Sequence, residues 1–127
     1  MKRVYLAGDR ANTEWTDAAT RALTAAGLEG DYVEPGDLER RPFASVTCDY
    51  VICADALLVR WCPACDDLTR LCVAAARACR MPVCWIICGR TPPNQEREAC
   101  FYSNPDAEES FRCAARWLAE RLKEGAP

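Results

Sequence analysis

The chain has 127 residues, half of them apolar and 28% charged, so it can form one domain (residues 1–127) around a core without disulfide or metal support. Its 16 basic and 19 acidic side chains are mixed along the sequence and give a net charge of −3, which excludes a basic surface for polymeric nucleic acid. Histidine is absent, which excludes Ser-His and Cys-His nucleophile pairs and histidine metal ligands. Any chemistry must therefore use carboxylates, thiols, hydroxyls, Lys or Arg.

The cellular compartment determines the expected state of the ten cysteines. The opening "MKRVYLAGDR" is too short in apolar residues for a signal-peptide core, and no later apolar run approaches membrane-spanning length. We therefore expect a cytoplasmic protein without a membrane partner, in which the cysteines are reduced. Most of them are expected to pack as small apolar residues, Cys72 with Cys79 on one helix face and Cys84 with Cys88 on one strand face.

The first part of the chain predicts a strand, a helix and a second strand. "RVYLAG" has the pattern of a short buried strand that ends at Gly8. Apolar residues at three-to-four spacing predict a helix over residues 15–26, and Gly27 is a natural helix end. "DYVEP" is predicted to be the second strand.

The middle of the chain continues this alternation. A short helix is expected to end near Ala54, and a buried strand to cover residues 55–60. Residues 66–80 have the spacing of a helix, and "MPVCWIICG" that of an apolar strand. The residues predicted to form the buried face of this helix are Leu68, Leu71, Cys72, Ala75 and Cys79.

The last part of the chain predicts a loop and a final helix. "RTPPNQEREACFYSNP" is expected to be a loop with one short helical turn, and Asn104-Pro105 to begin the helix. The apolar face of this helix is predicted to contain Phe111, Ala114, Ala115, Leu118 and Leu122.

This order of elements predicts the fold class. Alternating strands and helices favour an α/β fold with three layers, a parallel flavodoxin- or Rossmann-like sheet of four to five strands with helices on both faces. Ligands of such folds bind beyond the carboxyl ends of the strands. Functional residues are therefore expected near Gly8, Pro35, Trp61 and Gly89.

A Trp-Cys-x-x-Cys motif follows the third strand, in "LLVRWCPACDDLTRLCVAA". Cys62 and Cys65 precede a helix whose amino end lowers the pKa of a nearby thiol, which is typical of redox-active cysteine pairs. Together with Cys48 and Cys53 they could instead bind zinc, although the usual structural site has two Cys-x-x-Cys pairs. A pair without chemistry, on a loop that binds substrate, is the interpretation we favour, so no metal and no cofactor are expected.

Acidic residues near the ends of the predicted strands indicate more about function than the cysteines do. Asp9 follows the first strand, and Asp66 and Asp67 open the helix after the third. Asp49 and Asp55 flank the short helix before the third strand. Each of these acids can serve as a helix cap or a solvated charge. If they converge on one edge of the sheet, however, they form a crevice suited to hydroxyl recognition and proton transfer.

At these residues the sequence resembles the nucleoside 2-deoxyribosyltransferase-like superfamily, which includes small nucleoside and nucleotide N-glycosidases. The resemblance covers about the first 90 residues: "VYLAG", a first helix that contains a tryptophan, "CADALLV", and "DDLTRLCVAAARACRMPV". It implies that Tyr5 and Gly8 shape the base and sugar pocket. It also implies that Asp66, with Asp67 beside it, binds sugar hydroxyls.

The resemblance also bears on Asp49, Asp55 and Cys72. The two aspartates match the acid and the Ala-Asp-apolar run of the family, although they are unusually close together. Family enzymes place a nucleophilic glutamate one turn into the next helix, and Cys72 occupies that position here. Cleavage of a glycosidic bond usually needs a carboxylate near the anomeric carbon. With a cysteine at this position, the usual mechanism would lack its nucleophilic carboxylate.

Three functions remain possible. The first is an N-glycosidase or deoxyribosyltransferase that uses Asp66 or Asp67 with Asp49, with Cys72 at the nucleophile position. The second is a module that binds a nucleoside or nucleotide without cleaving it, and the third is a subunit without a small ligand. In the first two, Asp9 and Asp55 are candidate substrate contacts. Cations that could meet a phosphate are Arg10, Arg60 and Arg90, and Trp85 and Trp117 could support a homo-oligomer.

Overall fold

The computed structural model describes residues 1–8, 14–32, 49–61, 67–87, 99–102 and 107–124. Its centre is a five-stranded sheet in the order β2-β1-β3-β4-β5, and every neighbouring pair is parallel. This is the order of flavodoxin-like folds, so the predicted fold class is confirmed. The strands are β1 (Arg3–Ala7), β2 (Glu29–Asp31), β3 (Ala56–Trp61), β4 (Val83–Ile87) and β5 (Ala99–Tyr102).

Helices cover both faces of the sheet, as the sequence predicts. The described helices are α1 (Glu14–Ala25), α2 (Asp67–Ala78) and α3 (Ala107–Glu124), and residues 49–52 form a short helical turn. Along β1, Val4 and Leu6 pack in one core cluster with residues of α1 and α3, whereas Tyr5 and Ala7 pack in another with residues of α2. The fold therefore has three layers, with one hydrophobic core on each side of the sheet.

The two central strands β3 and β4 are almost entirely apolar because both of their faces are covered. All five residues of β4 are buried, and so are the first four of β3. Trp85 in β4 is only 2% exposed, so its ring belongs to the interior of the subunit and is not available to an interface.

The inward faces of α1 and α3 agree with the predicted ones. Trp15, Ala19 and Leu23 of α1 are buried. The five predicted residues of α3 are all buried: Phe111, Ala114, Ala115, Leu118 and Leu122. None of the three described helices is long and apolar enough to cross a membrane.

The predicted face of α2 is right for Cys72, which is buried, and for Ala75, which packs against the same cluster, but wrong for Leu71 and Cys79. The buried side chains are Thr69, Cys72, Val73 and Ala76, whereas Leu71 is 38% exposed. Thr69 is 3% exposed, yet as a polar residue it does not count in an apolar pattern. Cys79 is exposed and so does not pack as predicted, Cys84 is buried, and Cys88 lies outside the described residues.

Two strands also differ from the prediction. β2 covers Glu29–Asp31 and so begins two residues before the predicted "DYVEP", of which residues 33–35 lie outside the described residues. Backbone pairing with β1 defines this short edge strand, which has no apolar side chain. β5 lies in the segment predicted to be a loop, where four residues pair with β4. A run this short beside many charged residues gives no clear periodicity.

Candidate functional site

The sheet changes its winding direction between β1 and β3. From β1 the chain passes through α1 to β2 on one side, and it later returns to β3 on the other side of β1. In open α/β sheets this switch point leaves a crevice beyond the carboxyl ends of the two strands, where ligands bind. We call this region the switch-point crevice and define it by Gly8, Arg60 and Trp61, which lie at the ends of β1 and β3.

Gly8 is needed here because three groups approach its Cα closely. A Cβ atom at this position would lie 2.9 Å from Cζ2 of Trp15, 3.0 Å from the carbonyl oxygen of Arg60 and 3.1 Å from Arg60 Cβ. Real Cβ contacts are essentially never shorter than 3.0 Å, and the carbonyl oxygen cannot move without β3. Glycine therefore lets the first turn of α1 and the end of β3 meet at the crevice.

Trp61 is held from two sides at the end of β3. Its half-buried ring packs edge-on against Trp85 of β4, with centroids 5.7 Å apart and planes at 75°. The Arg70 guanidinium of α2 lies 5.8 Å from the centroid of the Trp61 ring, a cation–π contact. A fixed, partly exposed indole of this kind can stack on a planar heterocycle.

Arg60 supplies a positive charge one residue before Trp61, at the same end of β3. Its side chain is half-buried. Side chains alternate along a strand, and Ala56 and Leu58 of β3 pack in the core cluster with α1 and α3. Arg60 therefore faces that side of the sheet, and Trp61 faces the other. Gly8 lies against its Cβ. The crevice thus combines a flat aromatic surface with a cation, which suits a ligand that has a planar ring and a negative group.

The predicted pocket residue Tyr5 lies deeper than this edge. It is in the middle of β1, only 1% exposed, and its ring centroid is 6.5 Å from that of Tyr50. Tyr5 therefore forms part of the core beneath α2. Asp9, Arg10 and Asp66 lie outside the described residues, and Asp67 is the first residue of α2.

Asp55 does not lie at the carboxyl edge, so the expected convergence of the acids is wrong for this residue. Its carboxylate accepts a hydrogen bond of 2.8 Å from the backbone N–H of Arg3, and its own N–H donates to the Arg3 carbonyl at 2.8 Å. Because Asp55 precedes β3, it lies at the amino edge of the parallel sheet. Asp49 begins the helical turn that comes before it and is exposed.

Cys72, at the position of the family glutamate, is 2% exposed. It packs in the same core cluster as Tyr5, Val59 and Val73, so its thiol lies between α2 and the sheet. A thiol buried in apolar surroundings is a poor nucleophile. Cys62 and Cys65 lie outside the described residues, and within the described part no three metal-ligating side chains are grouped to hold an ion.

Sequence analysis expected functional residues near Trp61 but did not name Trp15, Trp61 or Arg70 as site residues. The signal for Trp61 was its place as the last residue of a strand that leads to the expected ligand edge. The contact between Trp61 and Arg70 depends on how α2 packs on the sheet. The sequence could not show this contact, because it predicted the inward face of α2 only in part.

Comparisons with known proteins bear on the fold. No family model matches the sequence, and no curated protein is found to be related. The sugar isomerase domain of an RpiR transcription factor from Sphaerobacter thermophilus is 12% identical with a TM-score of 0.63, covering 96% of this chain and 72% of that one. The CMP N-glycosidase BcmB of Clostridium botulinum is 15% identical with a TM-score of 0.59, covering 96% of this chain and 99% of that one.

A third similar structure is an oxidoreductase from Corynebacterium diphtheriae. It is 14% identical with a TM-score of 0.55, and the match covers 99% of each chain. At these identities the likeness shows a common α/β fold. Because one such fold serves an isomerase domain, a glycosidase and an oxidoreductase, function has to be argued from the site.

Proposed function

We propose that the chain binds a nucleoside or nucleotide in the switch-point crevice and acts on its N-glycosidic bond, by hydrolysis or by deoxyribosyl transfer. The observation that carries the proposal is the placement of both Trp61 and Arg60 at the β1/β3 switch point, where Gly8 lets α1 and β3 pack close to β1. The full-length likeness to a CMP N-glycosidase supports it, since that protein acts on such a bond on a similar fold.

Each described residue of the crevice has a role in this proposal. The Trp61 ring provides a stacking surface for the base, and Arg70 holds that ring in place. Arg60 meets the phosphate of a nucleotide or a sugar hydroxyl. Gly8 lets the first turn of α1 and the end of β3 pack against β1 at the crevice, because a Cβ atom there would collide with Trp15 and Arg60.

The reaction needs a carboxylate near the anomeric carbon. As the bond from C1′ to the base nitrogen breaks, the base leaves with the electron pair and takes up a proton, while water or an acceptor base adds to C1′. We assign the carboxylate to Asp66 or Asp67, at the start of α2, with Asp49 as a further candidate. Asp9 and Arg10, which follow β1 in sequence, are proposed to contact the sugar.

A second candidate function is binding without cleavage. It is favoured by one observation, the burial of Cys72 at the position where enzymes of the resembled family have glutamate. A protein that lost this glutamate and kept the crevice would recognise a nucleotide and leave its glycosidic bond intact.

Release of free base distinguishes the two functions. The protein is incubated with ribonucleosides, 2-deoxyribonucleosides and their 5′-monophosphates, CMP included, and the liberated base is measured by chromatography with and without an acceptor base. We expect release that the Asp66→Asn/Asp67→Asn variant loses and that Asp17→Asn, an exposed acid of α1, retains.

Two outcomes would contradict parts of the proposal. Unchanged release in the double variant would remove Asp66 and Asp67 from the mechanism, although the bond is still cleaved. No release from any compound, together with a raised melting temperature in the presence of one of them, would establish the binding module.

A further inference from the structure

A second cleft lies at the opposite edge of the sheet, beyond the amino ends of β1, β3 and β4. Its volume is about 580 Å³, within the range of small-molecule sites. We call it the amino-edge cleft. The side chains that matter for its chemistry are Lys2, Asp55, Arg80, Arg121, Ile52 and Met81.

The cleft gathers positive charge on a chain that is acidic overall. Lys2 comes from the segment before β1, Arg80 from the end of α2, and Arg121 from the last turn of α3. Asp55 supplies the one carboxylate among the described lining residues, and this carboxylate accepts a hydrogen bond from the backbone N–H of Arg3. Three cations thus line the cleft with one carboxylate, whereas the whole chain has a net charge of −3.

The backbone of Arg80 is in the left-handed region, with φ of 57°. It ends α2 in a Schellman motif, in which the Met81 N–H donates to the Ala76 carbonyl at 3.2 Å and the Arg80 N–H donates to the Arg77 carbonyl at 3.1 Å. This position favours glycine, because a Cβ atom makes the left-handed conformation costly.

The first helix ends in the same motif with glycine. The Leu28 N–H donates to Leu23 at 2.8 Å and the Gly27 N–H to Thr24 at 3.1 Å, the same offsets as in α2, and Gly27 has φ of 82°. The fold therefore uses glycine at one helix end and a strained arginine at the end that lines the cleft. Stopping the helix does not require an arginine side chain, whereas a guanidinium at this position is suited to bind an anion.

The helix dipole accounts for only part of this arrangement. Cations are favoured near the carboxyl ends of α2 and α3, which explains positive charge at Arg80 and Arg121. It does not explain the left-handed arginine or the presence of Lys2, which lies on no helix. Arg121 is also oriented by a cation–π contact, its guanidinium lying 5.7 Å from the centroid of the Trp117 ring.

The remaining wall of the cleft is apolar. Ile52, which is 56% exposed, lines the cleft together with Met81 and Pro82. We propose that the amino-edge cleft binds a small phosphomonoester, its phosphate held by Lys2, Arg80 and Arg121 and its apolar part lying against Ile52 and Met81. This site is separate from the switch-point crevice and does not depend on the function proposed there.

Titration calorimetry with phenyl phosphate and with inorganic phosphate tests the proposal. We expect phenyl phosphate to bind more tightly, and Arg121→Gln to weaken its binding about tenfold, the usual effect of losing one charge-assisted contact. Arg116→Gln, which removes an exposed arginine from the same helix, is the matched control and should leave binding unchanged. Absence of phenyl phosphate binding at millimolar concentration would overturn the proposal.

The Arg80→Gly variant separates a binding role from a structural one. Glycine relieves the left-handed strain, so the variant should unfold at a higher temperature while it binds phenyl phosphate about tenfold more weakly. If the variant is more stable and binds phenyl phosphate as tightly as the native chain, Arg80 is only a helix end and the proposed site is wrong.

Cys79, an exposed thiol in the cleft, locates the bound ligand. Alkylation by iodoacetamide, followed by mass spectrometry of the peptides, should slow at Cys79 when phenyl phosphate is present and stay constant at Cys113 on α3. Inorganic phosphate should protect Cys79 only at a higher concentration than phenyl phosphate does. In an Ile52→Ser variant the two compounds should protect Cys79 at similar concentrations. Equal protection by both probes in the native chain would overturn the apolar half of the site.

Discussion

At the scale of single residues, Asp55 acts on the start of two strands. Its carboxylate and its backbone N–H both bond to the backbone of Arg3, so the amino ends of β1 and β3 are joined by a pair of 2.8 Å hydrogen bonds. An acid that precedes a parallel strand and an acid that follows one lie at opposite edges of the sheet. Asp55 comes immediately before β3, so its carboxylate lies at the amino edge and cannot reach a ligand at the carboxyl edge.

Replacing Asp55 by alanine should therefore lower stability and leave nucleotide chemistry unchanged. We expect the free energy of unfolding to fall by about 1–2 kcal/mol, because a backbone N–H loses a charged acceptor. Urea denaturation measures this loss, and Asp55→Asn, which keeps an acceptor oxygen, should recover most of it. A stable Asp55→Ala variant that has lost base release would instead place this residue in the active site.

Gly8 matters because it has no side chain, whereas Asp55 acts through its carboxylate. A Gly8→Ala substitution should cost about 1–3 kcal/mol of stability, because the new methyl group would lie 3.0 Å from a β3 carbonyl oxygen. It should also weaken nucleotide binding as β1 and β3 move apart at the crevice. Denaturation and equilibrium binding measure the two effects, and a Gly8→Ala variant with native stability would contradict the close packing described here.

At the scale of elements, α2 decides which side chains can reach a ligand. Its inward face contains Cys72, and its exposed face contains Arg70, which covers Trp61. An apolar pattern alone predicted this face only in part, because Thr69 is buried while Leu71 is partly exposed. The first and last helices were predicted well, since their buried residues are almost all Ala, Leu, Phe or Trp.

Restoring the family's acid at position 72 should harm the fold more than it helps catalysis. Cys72→Glu would put a carboxylate among apolar side chains, and we expect a loss of about 3 kcal/mol or more of stability. Leu71→Glu, one residue earlier on the exposed face, is the control and should be tolerated. Thermal denaturation compares the two. A Cys72→Glu protein as stable as the native chain, with increased base release, would show that position 72 faces the substrate.

At the scale of the whole molecule, the class of fold follows from the sequence because β1, α1, β3, α2, β4 and α3 each bury a continuous apolar surface. The polar strand β2 and the short strand β5 are defined by backbone pairing, so their positions were not predictable from side-chain patterns. The site was predicted in part. Gly8 lies at the expected edge, Asp55 lies at the other, and Trp61 becomes a candidate only when α2 and β4 are packed beside it.

The two edges of the sheet have different chemistry. The carboxyl edge has an aromatic ring with a cation at the switch point, and the amino edge has three cations around a cleft. We therefore expect substitutions at one edge to leave ligand binding at the other unchanged.

The most direct test of the switch-point crevice is the dissociation constant of cytidine, which has no phosphate to occupy the amino-edge cleft, for three proteins: the native chain, Trp61→Ala and Trp117→Ala. Stacking on an aromatic side chain contributes about 1–3 kcal/mol per base, so Trp61→Ala should weaken binding roughly tenfold or more. Trp117→Ala removes another half-buried tryptophan, far along the chain on α3, and should bind cytidine like the native protein. Equal affinity of the native and Trp61→Ala proteins would contradict a nucleotide site at the carboxyl ends of β1 and β3.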